Sequence, residues 1–172
     1  MIYESLCSLR KEKINDLIIT GITDPSEAEM QFLPDFTLLY IETGGKHIVF
    51  ESVEQYAKLK ITIADTITYH KVDDPDFQYI NMSLMNLLLI NGAYASTIID
   101  TLSFYRAEIG NDYILCDLAV IRFSSNQSFI IDPLNFWGIT LAGLINDAPD
   151  CDINEKYSDI LSEYPDLIIP GE

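Results

Sequence analysis

Two β-rich runs, Phe36–Glu42 and His47–Ser52, flank the glycine pair Gly44-Gly45. No other feature constrains the chain as much, because two residues free to take positive φ between such runs close a tight hairpin and set its register. Tyr113–Phe123 and Ser128–Asp132 lie either side of the polar turn Ser124-Ser125-Asn126-Gln127 and predict a second hairpin. Leu59, Ile61, Ile63, Ile67 and Tyr69 share one parity while Lys60, Thr62, Thr66 and Thr68 share the other. That alternation predicts a long, half-buried strand. Leu17-Ile18-Ile19 reads as a first strand and Val53–Lys58 as a short helical turn. Thr97–Arg106 fits both periods and is assigned to strand on its β-branched residues. Trp137–Leu141 adds a further strand.

Helical signals are fewer. Arg10, Lys11 and Lys13 mark a short opening helix, and Ile80, Leu84, Leu87 and Leu88 follow the spacing of a buried helix face that ends at Asn91-Gly92. Asp152 is a good N-cap with Glu155 at the capping-box position, so a helix is expected from Ile153 to Glu163, stopped by Pro165. Its apolar face carries Ile153, Tyr157, Ile160, Leu161 and Tyr164. The expected fold is α+β, a single domain over residues 1–172. It is built on a mostly antiparallel β-sheet with two β-hairpins and a few helices, including this C-terminal amphipathic one. With 172 residues, 48% of them hydrophobic, the chain has material for one core.

Charge then narrows the function. Twenty-seven Asp and Glu against ten Lys and Arg give a net −17, a field that repels nucleic acid and anionic membranes and attracts basic surfaces. The surplus is uneven: residues 1–71 hold seven bases and eleven acids, residues 72–172 three bases and sixteen acids. Cys7, Cys116 and Cys151 are odd in number and far apart, which points to a reducing cytosol and not to a disulfide framework. The opening residues lack a signal-peptide pattern and the apolar runs are too short for a membrane span, so a soluble cytoplasmic protein is expected.

Catalytic motifs are missing. Neither His47 nor His70 has a second ligand at metal spacing, and there is no H-E-x-x-H, G-x-S-x-G, phosphate-binding loop or dinucleotide fingerprint. Asp150-Cys151-Asp152-Ile153-Asn154 begins like a calcium loop, yet Glu155 stands where the turn glycine belongs and Leu161 where the closing glutamate belongs. Cys116, mid-strand, reads as a small buried hydrophobe. No catalytic residue, cofactor or metal site is expected.

What remains is acidic. Glu155, Asp159 and Glu163 fall four residues apart on one helix face, a column whose like charges repel. With Asp147, Asp150 and Asp152 the segment 147–172 holds eight acids and one base. Asp73, Asp74 and Asp76 form a second acidic site beside Phe77 and Tyr79, and Trp137 is a candidate aromatic anchor. Such a surface is either a solvated face or a docking site where carboxylates steer a basic partner and aromatics hold it. The expectation is a non-catalytic acidic protein-binding module, most concretely an immunity or antitoxin-type inhibitor of a basic, nuclease-like toxin. The alternatives are a regulatory or scaffold domain, and a carboxylate- or metal-dependent enzyme without a recognisable motif.

Overall fold

The computed structural model describes residues 1–9, 12–25, 31–72, 76–85, 97–125, 127–133, 138–144 and 151–169. Its strands divide over two antiparallel sheets. The first holds β1 (Ile14–Thr23), β2 (Phe32–Thr43), β3 (Lys46–Val53), β4 (Lys58–Ala64), β5 (Gln78–Ser83), β7 (Glu108–Ile109) and β8 (Ile114–Cys116), in the order β5-β1-β2-β3-β4-β8-β7. The second holds β6 (Ile99–Tyr105), β9 (Leu118–Phe123), β10 (Ser128–Asp132), β11 (Thr140–Leu144) and β12 (Leu167–Ile169), in the order β11-β10-β9-β6-β12. Two helices accompany them among the described residues, α1 (Ile2–Leu9) and α2 (Cys151–Ser162).

The sheets share one core. Leu17, Leu39, Ile41, Phe50 and Ile61 from the first meet Ile99, Phe104, Ile121, Phe123 and Phe129 from the second, and Leu6 and Leu9 of α1 complete the cluster. Alternation explains the arrangement, since each strand turns one parity of apolar side chains toward the opposite sheet. A smaller cluster lies on the far side of the second sheet, where Tyr157 of α2, with Ile160 and Leu161, packs on Tyr105, Leu118 and Ile130.

Both hairpins form as their turns dictate. Thr43 pairs with Lys46 across Gly44 and Gly45, at φ 56° and 73°, the two positive values of a type I′ turn. In the second, Arg122 pairs with Ser128 and the Phe123 N–H donates to the Gln127 carbonyl at 2.7 Å.

Several expectations need correction. Tyr113–Phe123 is not one strand: it breaks at Asp117 into β8 and β9, which belong to different sheets. The strand from Leu59 ends at Ala64, and residues 65–72 leave the sheet although their alternation continues. Ile80 lies in β5, not in a helix, because pairing with β1 satisfies a backbone whose even-numbered apolar residues fit either period; residues 86–96, with Leu87 and Leu88, lie outside the described residues. The opening helix runs over Ile2–Leu9, ahead of the basic residues, and Lys13 instead bridges to Ile98. Val53–Lys58 forms a left-handed turn, with φ of 52°, 59° and 69° at Glu54, Gln55 and Tyr56 and the Ala57 N–H donating to the Val53 carbonyl at 3.1 Å. At the C-terminal helix, Cys151 opens α2, so Asp152 lies within its first turn and not at the N-cap. Of its expected apolar face, Tyr157 is buried, but Tyr164, beyond the last turn, is 85% exposed.

Candidate partner-binding surface

The chain crosses between the sheets twice at one corner. After β6 it turns at Arg106, whose φ is +51°, into β7 of the first sheet. It returns to the second sheet at Asp117, between β8 and β9, where the Asp117 N–H donates to the Tyr105 carbonyl at 3.0 Å. Asp117 thus sits at the joint, held by Lys58 from β4 and by Arg106 Nη1 at 3.4 Å. The hydrogen bond from Lys58 to Asp117 is the main cause of a lysine pKa above its ordinary value, with the fields of Glu108 and Glu54 adding to it.

The end of α2 arrives at the same corner. The Glu163 carboxylate takes both Nε, at 3.1 Å, and Nη2 of Arg106, and that pairing holds its pKa below the ordinary range. Three residues on, Asp166 Oδ2 accepts the Ala107 N–H at 3.0 Å. Among the described residues, Glu54, Glu108, Asp117, Glu163 and Asp166 therefore gather around Lys58 and Arg106, five carboxylates against two cations. The corner is electronegative, and its ion pairs tie α2 to the joint of the two sheets.

Of the sequence-derived partner residues, Asp159 is exposed on α2 one turn before Glu163. Asp152 and Glu155 lie on α2, but their side chains are outside the described residues, as are Asp147, Asp150, Asp73, Asp74 and Trp137 altogether. Asp76 is exposed at the entry to β5. Asp159 lies on α2 and Glu163 one residue past its end, and around Glu163 and the joint of the sheets gather Glu54, Glu108, Asp117 and Asp166, which sequence reasoning passed over. Only the net charge hinted at these, because 57 residues separate Arg106 from Glu163.

A second polar cluster escaped the sequence altogether. The register of β1 with β2 jumps from Ile19↔Leu39 to Thr20↔Asp35, so Phe36, Thr37 and Leu38 bulge. Residues 65–72 cross over this face as a strap, with Ile67 packed on the cluster of Ile18, Leu38, Tyr40 and Val49 and the Tyr40 O–H donating to the Thr68 carbonyl at 2.8 Å. His70 Nδ1 lies 2.9 Å from Asp35 Oδ2, and the Thr37 hydroxyl donates to Asp35 Oδ1. The Thr37 hydroxyl also lies 3.2 Å from His70 Nδ1, and Nε2 faces Glu51 Oε1 at 3.9 Å, so the cluster ties the strap to β2 and β3. A cleft of about 210 Å³ beside it is lined by Thr20, Asp35, Tyr69, His70 and Tyr79 among others.

Cys116 is fully buried, and burial pushes its thiol up to about 12, so it is no nucleophile at neutral pH. Among the described residues no group of three or more His, Cys, Asp or Glu could hold a metal ion, and no helix is long and apolar enough to cross a membrane. Comparison with protein-family models, curated proteins and solved structures finds no match for this chain.

Proposed function

We propose that this chain is a non-catalytic, cytoplasmic, acidic protein-binding module, most concretely an immunity or antitoxin-type inhibitor of a basic, nuclease-like toxin. The observation that supports this reading is the electronegative corner, where among the described residues five carboxylates outnumber two cations, one helical turn on from the exposed Asp159. A nuclease gathers cations to hold phosphate, and a compact domain of net −17 competes for that cleft through long-range attraction. Asp147, Asp150, Asp152 and Glu155 extend the negative charge along the chain leading into and through the start of α2, with Trp137 as an aromatic anchor, while Asp73, Asp74 and Asp76 form a second acidic site in this proposal.

The test is capture from the source lysate on immobilised protein at low and high salt. Recovery at low salt of a protein with nuclease activity, lost at high salt and inhibited by the free chain, supports the reading. Recovery of no basic protein, or capture indifferent to salt, contradicts it.

A further inference from the structure

β5 is the outermost strand of the seven-stranded sheet, and no described strand pairs with its outer edge. The Leu84 N–H donates to the Leu17 carbonyl at 2.6 Å, and the register of β5 on β1 runs without a shift from Ile18↔Ser83 to Thr23↔Gln78. Antiparallel pairing alternates along such a register. The N–H and C=O groups of Tyr79, Asn81 and Ser83 therefore point away from β1. Natural sheets blunt such an edge with lysine, proline, a bulge or a short strand. Gln78–Ser83 has six residues and none of the other three devices.

The two faces of this edge differ in chemistry. On the inner face, Met82 and Leu84 border a cavity of about 420 Å³ between the sheets, whose ten lining residues are all apolar, Ile19, Leu39, Ile139 and Leu141 among them. Met82 stays 42% exposed at its margin, so the cavity opens beside the strand. On the other face, Asp16 accepts a hydrogen bond from the Ser83 hydroxyl, the strap engages Tyr79 and Asn81 through the Val72 N–H and the Tyr69 O–H, and the exposed Asp76 precedes the strand.

We propose that β5 receives an extended segment of a basic protein as an added strand, with apolar side chains entering the cavity and Lys or Arg on the alternate positions drawn toward Asp16 and Asp76. Strand addition takes affinity from the backbone and specificity from alternate side chains, and period-two alternation lets one segment present apolar side chains to the cavity and basic ones to the opposite face. A second copy of this chain is a poor occupant, since two molecules of net −17 repel. The inference rests on the basic-partner reading and names where on the fold that partner attaches.

The probe is a nine-residue peptide alternating Lys and Leu, with a Glu/Leu peptide as control. The expected result is slowed amide exchange at Tyr79, Asn81 and Ser83 with the Lys peptide alone. Asn81→Pro, which removes an outward N–H, should weaken binding by roughly tenfold, and Met82→Asp, which places a charge at the cavity margin, should weaken it while leaving the rest of the amide spectrum in place. Salt-sensitive binding that leaves those three amides and both variants unaffected overturns the edge site while the acidic-module reading stands. Failure of the Lys peptide to bind at any salt overturns the edge site, and only failure of the lysate capture as well removes the broader reading. Dimerisation of the free chain through β5, seen by sedimentation, also overturns the proposal.

Discussion

Tyr157 on α2 donates its phenolic O–H to Oδ2 of Asp132 on β10 at 2.8 Å, and both residues are buried. This bond anchors the helix that carries Asp159 toward the corner where Glu163 meets Arg106. Tyr157→Phe keeps the ring packing and removes the donor. It should lower stability by about 1–3 kcal/mol in urea unfolding, and an unchanged midpoint would show that packing alone seats α2.

Gly138 and Gly45 both take positive φ but differ in surroundings. A Cβ at Gly138, where φ is 113°, would lie 2.3 Å from the Phe36 carbonyl oxygen, whereas at Gly45 nothing stands within 4 Å. The Phe36 carbonyl also accepts the Ile139 N–H at 2.7 Å, which joins β11 to the bulge of β2. Gly138→Ala should cost at least about 2 kcal/mol and Gly45→Ala about 1 kcal/mol. Thermal unfolding of the two variants side by side checks the order.

These features mark how far the sequence could be read. Gly44-Gly45 and the turn 124–127 announced both hairpins because turn chemistry is local, and the apolar spacing of Tyr157, Ile160 and Leu161 announced the α2 face. Asp117 gave no warning of the change of sheet: the core-facing parity flips there, from Ile114 and Cys116 to Ala119, Ile121 and Phe123, but Leu118 and Val120 are apolar too, so the flip does not show in the sequence pattern. Ile80 and Leu84 sit at a spacing that serves helix and strand alike, and only β1 decides between them. The turn at Glu54, Gln55 and Tyr56 is left-handed without a glycine, which no residue preference signals. Ion pairs such as Arg106–Glu163 depend on tertiary approach and are invisible to spacing rules.

Asp159 and Glu163 belong to one acidic column but should behave differently. Glu163→Gln removes the Arg106 clamp and should lower stability at neutral pH, whereas Asp159→Asn should leave it unchanged. Because the folded-state pKa of Glu163 lies below its ordinary value of 4.5, its stabilisation is present above 4.5 and is lost as pH falls through the folded value. Acid unfolding of the Gln variant should lack that contribution, and a profile superimposable on the parent's would contradict the clamp.

Cys116 makes an alkaline prediction. Burial raises its thiol from 9.0 to about 12, so above pH 9.0 the unfolded chain releases a proton that the folded chain retains. Stability should fall as pH rises from 9.0 toward about 12. The raised pKa of Lys58 acts in the same direction, its ion pair being lost as pH climbs past the folded value. Cys116→Ala should flatten the slope in chemical unfolding series, and a thiol reagent at pH 8 should modify Cys116 only after unfolding.

The proposed function requires that the electronegative corner steer a cationic protein. The most direct measurement is the association rate of the chain with its captured partner across ionic strength, for the parent and for the Asp159→Asn, Glu108→Gln double variant. The rate should fall steeply with salt in the parent and with a shallower slope in the variant. Equal rates at all salt concentrations, identical in both proteins, would contradict it.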